Sequence, residues 1–194
     1  IAVASTVVDY PFTETFEDGI LPANWTSAST DAGRVRVTSS YSPHGGSYHT
    51  VMDTTNNGVY ALNEMVLTID LAGRENVALN FWHTSFGDEP NAMSTSFTDS
   101  ENADGVAVSV DGTNWYKVTD LDSNHGSWTE YNLDLDAVLA NHGVSYSAAT
   151  KIKFQQYDNS VIASTTGWDG RGFDDIAVTS SAASFPFNED WETG

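Results

Sequence analysis

The chain has 194 residues with 27 acidic against 7 basic, a formal charge of −20, and no cysteine. Such a surplus of carboxylates repels phosphate backbones and anionic lipid, which argues against nucleic-acid binding and membrane insertion, and the lack of cysteine removes any disulfide framework or thiolate metal site. The length suits one domain with a sizeable core, and the acidity has two physical readings: carboxylates gathered for a hard divalent cation, or solubility in salty surroundings.

Residues 1–9 read as an N-terminal linker; their apolar run Ile1–Val8 has no basic leader and is too short to span a bilayer. Short β-branched or aromatic runs separated by Gly, Asn, Asp and Ser then follow, the pattern of an all-β jelly-roll sandwich over residues 10–179. After an opening strand, Ile20–Trp25 turns a corner and buries an aromatic ring. Strands are expected over Arg34–Ser39, Tyr48–Asp53, Glu64–Leu71 and Asn76–Ser85, with Ser42–Ser47 as a turn. Thr84–Asp104 is the longest irregular segment, and its acids Asp88, Glu89, Asp99, Glu101 and Asp104 read as a solvated face rather than a second cation site. Gly105–Asp111 and Trp115–Val118 form a hairpin about Asp111-Gly112-Thr113-Asn114. The one short helix is placed at Asp134–Asn141, stopped by Gly143. Thr150–Asp158 and Phe173–Thr179 complete the module, and residues 180–184 form a small-residue linker.

The opening stretch Tyr10–Gly19, YPFTETFEDG, returns as Phe185–Gly194, FPFNEDWETG, with Pro, Phe, Glu, Glu and Gly at matching offsets. The separation, 185 − 10 = 175 residues, is the length of a domain, so residues 185–194 read as the first strand of a following repeat in a tandem array.

Two adjacent acids, Asp174 and Asp175, open the last strand, where neighbouring carboxylates repel and lose hydration together. Calcium meets that need, since it accepts six to eight oxygens of mixed type; the alternative is that Asp174 caps backbone amides and Asp175 faces solvent. First and last strands of a sandwich commonly lie side by side, so Glu17 is expected near Asp174. Backbone oxygens of the Pro43–Ser47 turn, Gly46 among them, and Asp53 would complete a structural site.

A ligand face follows from strand alternation: Asn80 with Trp82, Gln155 with Tyr157, and Trp168, Asp169 and Arg171 in the adjoining loop. Aromatic platforms edged by amides and carboxylates suit sugars, the ring stacking on a pyranose while polar groups bond its hydroxyls. Trp25 and Trp115 read as core. Catalysis has little support: the five histidines show no H-E-x-x-H spacing, no serine occupies G-x-S-x-G, and no carboxylate pair is marked for glycoside hydrolysis.

The ordered motifs in Phe12–Trp25, Ser42–Ser47, Asp111–Trp115 and Asp174–Val178 together resemble bacterial modules related to the MAM domain and to the cleaved-adhesin domains of secreted proteases. The resemblance implies a jelly roll, extracellular placement, structural calcium held by Glu17, the Gly45–Ser47 turn and Asp174, and adhesion or carbohydrate binding. The expectation is a non-catalytic, calcium-stabilised module of a secreted or cell-surface bacterial protein that binds polysaccharide or another surface polymer. Its rivals are a protein-contacting adhesin or spacer repeat and, third, a domain of a polysaccharide-degrading enzyme.

Overall fold

The computed structural model describes residues 6–121, 126–162 and 169–180. Among them, strands form two six-stranded antiparallel sheets. The first runs β2 (Trp25–Ser29), β5 (Ala61–Ile69), β11 (Thr150–Asp158), β8 (Gly105–Ser109), β9 (Asn114–Asp120) and β7 (Ser96–Thr98). The second runs β10 (Thr129–Asp134), β6 (Val77–Ser85), β12 (Arg171–Ser180), β4 (His49–Thr54) and β3 (Gly33–Thr38), and β1 (Phe12–Glu14) also pairs with β12. This is an all-β jelly-roll sandwich with one short helix.

Period-two alternation builds the core. Met65, Leu67, Ile152 and Phe154 from the first sheet meet Leu79, Phe81, Phe173, Ile176 and Val178 from the second, all fully or almost fully buried. Phe154 is central: its ring centroid lies 5.1 Å from Phe81, 5.2 Å from Phe173 and 6.0 Å from Trp25. The hairpin after β8 turns on Asp111, whose carboxylate accepts from the amides of Thr113 and Asn114.

Helix α1 spans Leu135–His142 rather than beginning at Asp134, because Asp134 is its N-cap and accepts from the Ala137 amide at 3.1 Å. Gly143, with φ +66°, closes it in the left-handed conformation. No helix among the described residues is long and apolar enough to cross a membrane.

Three placements differ from expectation. Val8, inside the expected linker, forms a parallel bridge with Ile69, exchanging bonds with Thr68 and Asp70 beyond the point where β2 leaves that edge. The Thr84–Asp104 segment is not wholly irregular: β7 adds to β9, and Met93 and Ala103, with the half-buried Phe97, build a small second core on Ala107 and Trp115. Strand β10 extends the second sheet because Tyr131 and Leu133 pack inward while Glu130 and Asn132 face water. The linker beyond Ser180 and the repeated motif at 185–194 lie outside the described residues.

Phe154→Ala removes a ring shared by both sheets, and a loss of about 3–5 kcal/mol is expected, measured as a lower denaturant midpoint at unchanged m-value.

Candidate functional site

Strand β12 changes neighbour along one edge: Arg171–Phe173 pair with β4, and Ile176–Val178 pair with β1. Asp174 and Asp175 fall in the gap, at a bulge on the β6 side, and Asp175 has φ +47°. The turn preceding β4 fills the gap with amides. Asp174 Oδ2 accepts from the His44 and Gly45 N–H groups, both at 3.0 Å, and Asp174 Oδ1 accepts from Asp175 N–H. Burial pushes the Asp174 carboxyl up to about 6, while those amides pull it back. Glu17, just after β1, accepts from Ser47 N–H with both carboxylate oxygens and from Tyr48 N–H with Oε1, each at 2.9 Å.

Glu17 and Asp174 thus meet at one turn, as the spacing predicts, but through its amides rather than its carbonyls. Four N–H dipoles from one turn converge on the two carboxylates, and a cation would meet their positive ends. One atom each from His44, Asp174 and Asp175 lies within 4.8 Å of the others and could meet a cation, but the backbone groups seen to face Glu17 and Asp174 are amides, which are not calcium ligands. Gly46 is required sterically: a Cβ there would fall within 2.5 Å of the Glu17 carboxylate, and its φ is +54°. Asp53 belongs elsewhere, fully buried and held by Arg34 at 2.6 Å, Arg36 at 3.3 Å and the Ile162 amide. Asp175 pairs with His44 Nδ1 at 2.7 Å.

His44 carries this turn onto the outer face of the second sheet. Its ring stacks on Trp82 at 3.8 Å and 15°, and meets Trp128 edge-on at 5.7 Å. Trp128 Nε1–H donates to the Ser42 carbonyl at 3.0 Å. The row continues through His49, Phe86 and Tyr41. Gly172 lies beneath it, where a Cβ would press on Thr84, Phe86 and Trp128 at 3.0–3.3 Å. Trp82, His44, Trp128 and Asn80 are half-buried, while Glu130, opposite Trp82, and Asn132, opposite Asn80, are exposed. A cluster of aromatic rings with half-buried and exposed amide and carboxylate neighbours results, His44 lying on one face of Trp82.

The other expected ligand residues do not join it. Gln155 and Tyr157 lie on the outer face of the opposite sheet. Gln155 is fully buried, its amide donating to the carbonyls of Glu101 and Ala103, and Tyr157 stacks on Tyr60 at 5.2 Å. Arg171 is also fully buried, bridging Asp88 at 2.5 Å and Asp104 at 3.3 Å, so it is interior structure rather than a ligand contact. Asp169 lies with Asp88, Glu89 and Asp158, away from the platform. Burial pushes Asp88 up to about 9 and Asp158 up to about 8, each helped by neighbouring carboxylates, and Asp169 also upward. Trp168 lies outside the described residues.

Sequence reasoning missed His44 and Trp128. Trp128 had a signal, since Trp128, Glu130 and Asn132 alternate with Tyr131 and Leu133; His44 had none, because its position depends on the turn.

No protein-family model and no curated protein matches the chain. Solved structures do. The K2 cleaved adhesin domain of Lys-gingipain aligns over 89% of this chain and 99% of its own at 19% identity and TM-score 0.55. A family 61 carbohydrate-binding module in complex with β-1,4-galactotriose aligns over 86% and 94%, at 15% identity and TM-score 0.54. A family 11 carbohydrate-binding module of a Clostridium thermocellum cellulosomal cellulase aligns over 91% and 97%, at 14% and 0.53. At these identities the likeness shows the fold, a β-sandwich shared with adhesin and carbohydrate-binding modules.

Gly46→Ala is expected to lower Tm by about 5 °C or more, by strain at positive φ and by displacing Glu17, read by differential scanning calorimetry. His49 supplies a pH effect. Its Nε2–H donates to the Ser40 carbonyl at 2.8 Å, and burial, with Arg36 adding, pushes its pKa down from 6.5 to about 4. The folded value is depressed, so its contribution to stability is full above 6.5 and is lost as pH falls towards 4. His49→Gln, which keeps an N–H donor without a titratable ring, should lose less Tm than the parent between those two pH values.

Proposed function

We propose that the chain is a non-catalytic binding module of a secreted or cell-surface multidomain protein, bacterial by its resemblance, that recognises polysaccharide through the Trp82 platform. One observation carries this reading: Trp82 and His44 form a stacked, half-buried aromatic surface whose open edges are Asn80, Asn132 and Glu130. An aromatic face of this kind covers the apolar side of a sugar ring, and the edges bond its hydroxyls. The shared fold supports the reading, since one structural neighbour is solved with a galactotriose and another is the carbohydrate-binding module of a cellulase.

The cleaved-adhesin neighbour supports a second reading, contact with a protein surface by the same face. The likeness to MAM domains rests on motif order alone. The return of the β1 motif 175 residues further on (185 − 10) supports a repeated module, in which several weak sites add avidity.

Affinity electrophoresis against β-galactan, β-glucan and xylan should show retardation on at least one polymer. Trp82→Ala should weaken that binding about tenfold or more while circular dichroism and Tm stay near the parent's. Unchanged retardation in a folded Trp82→Ala variant would rule out this face. No retardation on any glycan, with binding to a partner protein or to a second copy, would favour the adhesin reading.

A further inference from the structure

The end of the sandwich where β6 and β11 finish and β12 begins gathers five carboxylates: Asp88, Glu89, Asp104, Asp158 and Asp169. Arg171 supplies one positive charge, in contact with Asp88 and Asp104. Four of the five acids are deeply buried, Asp158 fully, Asp88 and Asp104 at 1% exposure and Asp169 at 7%. Buried charge in such excess is tolerated only when something neutralises it.

The acids divide by their partners. Asp104 is satisfied, accepting from the Asn91 and Tyr157 amides and from the Asn91 side chain. Asp158 Oδ1 accepts from the amides of Asn159 and Ser160, but Asp158 Oδ2 is buried without a partner. Asp169 Oδ1 and Asp88 Oδ1 are likewise buried and unpartnered. These are three oxygens from side chains more than nine-tenths buried. Asp88, Glu89 and Asp169 each offer an oxygen within 4.8 Å of the others, and Asp169 also lies against Asp158. Ligands about 2.3–2.6 Å from one ion are separated by up to twice that distance, so the spacing fits one cation. The terminal clip at Glu17 and Asp174 differs in that its carboxylate oxygens have backbone N–H partners and none of them is buried without one.

We propose that Asp88, Glu89, Asp158 and Asp169 form a calcium site. Carboxylates from the end of β11 and from loop segments suit a large cation that tolerates irregular geometry and keeps some water, and the absence of nitrogen and sulfur donors among the four argues against zinc. Asp88 bridges the ion and Arg171, which ties the site to the interior of the sandwich. The site is independent of the Trp82 platform, so glycan binding and calcium binding can succeed or fail separately.

Titration of the 194-residue chain, stripped with EGTA and dialysed, with calcium chloride in a calorimeter tests this. One saturable site is expected, with Tm rising about 5–10 °C at a hundredfold excess of calcium over Kd. Asp169→Asn should weaken calcium binding at least about tenfold. Glu89→Gln, at an exposed position where folding is not at risk, should weaken it in the same direction. Glu17→Gln should keep the full calcium response. Equal melting temperatures in EGTA and in calcium would overturn the assignment and leave a shared proton to neutralise Asp158 and Asp169. Undiminished affinity in both Asp169→Asn and Glu89→Gln, or loss of response in Glu17→Gln alone, would overturn it equally by moving the ion elsewhere.

Discussion

A carboxylate surrounded by backbone N–H groups can carry its charge without a counterion, and the turn before β4 provides this twice. Glu17 arrives from the first strand and Asp174 from the last; the amides of His44, Gly45, Ser47 and Tyr48 hold both. The two ends of the module are therefore joined through one turn. The same contact fixes His44, and His44 in turn forms half of the stack with Trp82. The aromatic platform is a consequence of how the sandwich is closed.

The acids at the β11–β12 end receive a different treatment. There the loops supply amides to Asp104 and to one oxygen of Asp158, and then run out, leaving buried oxygens that face one another. The contrast is one of geometry. Seven consecutive residues, Ser42–Tyr48, form one turn and direct several N–H groups to the same side. Asp88, Asp158 and Asp169 come from three separate segments, the loop after β6, the end of β11 and the residues just before β12.

Alternation made most of the sandwich legible. Residues such as Leu79, Phe81, Ile152 and Phe154 announce their face by period two, and Asp134 and Gly143 bracket the helix by cap chemistry. Strand β2, with three exposed residues of small side chain, carries no such signal, and the Thr84–Asp104 cover is held by hydrogen bonds to Gln155 and Lys153 that no local pattern encodes. The adjacency of first and last strands is a general habit of sandwiches, and here β1 pairs with β12 and Glu17 and Asp174 bind the same turn. Whether a turn offers its carbonyls or its amides depends on backbone torsions, and the sequence does not state them. Alternation also assigns Asn80, Trp82, Gln155 and Tyr157 to outer faces, yet it cannot say that the two pairs belong to opposite sheets.

That last distinction decides where a ligand can bind. The outer face of the first sheet is covered by the Thr84–Asp104 segment: Gln155 is fully buried beneath Glu101 and Ala103, and Lys153 is spent on Glu64 and the Asp99 carbonyl. A groove of about 320 Å³ lies there beside Trp115, whose ring already carries the Lys153 ammonium at 4.1 Å. On the second sheet the covering loops bring aromatic rings instead of backbone. Gly172 lets those rings settle onto the strands without a Cβ beneath them, and Trp82 stays half-buried. The stacked pair of His44 and Trp82 and the polar residues Asn80, Asn132 and Glu130 therefore lie together on the outer face of the second sheet.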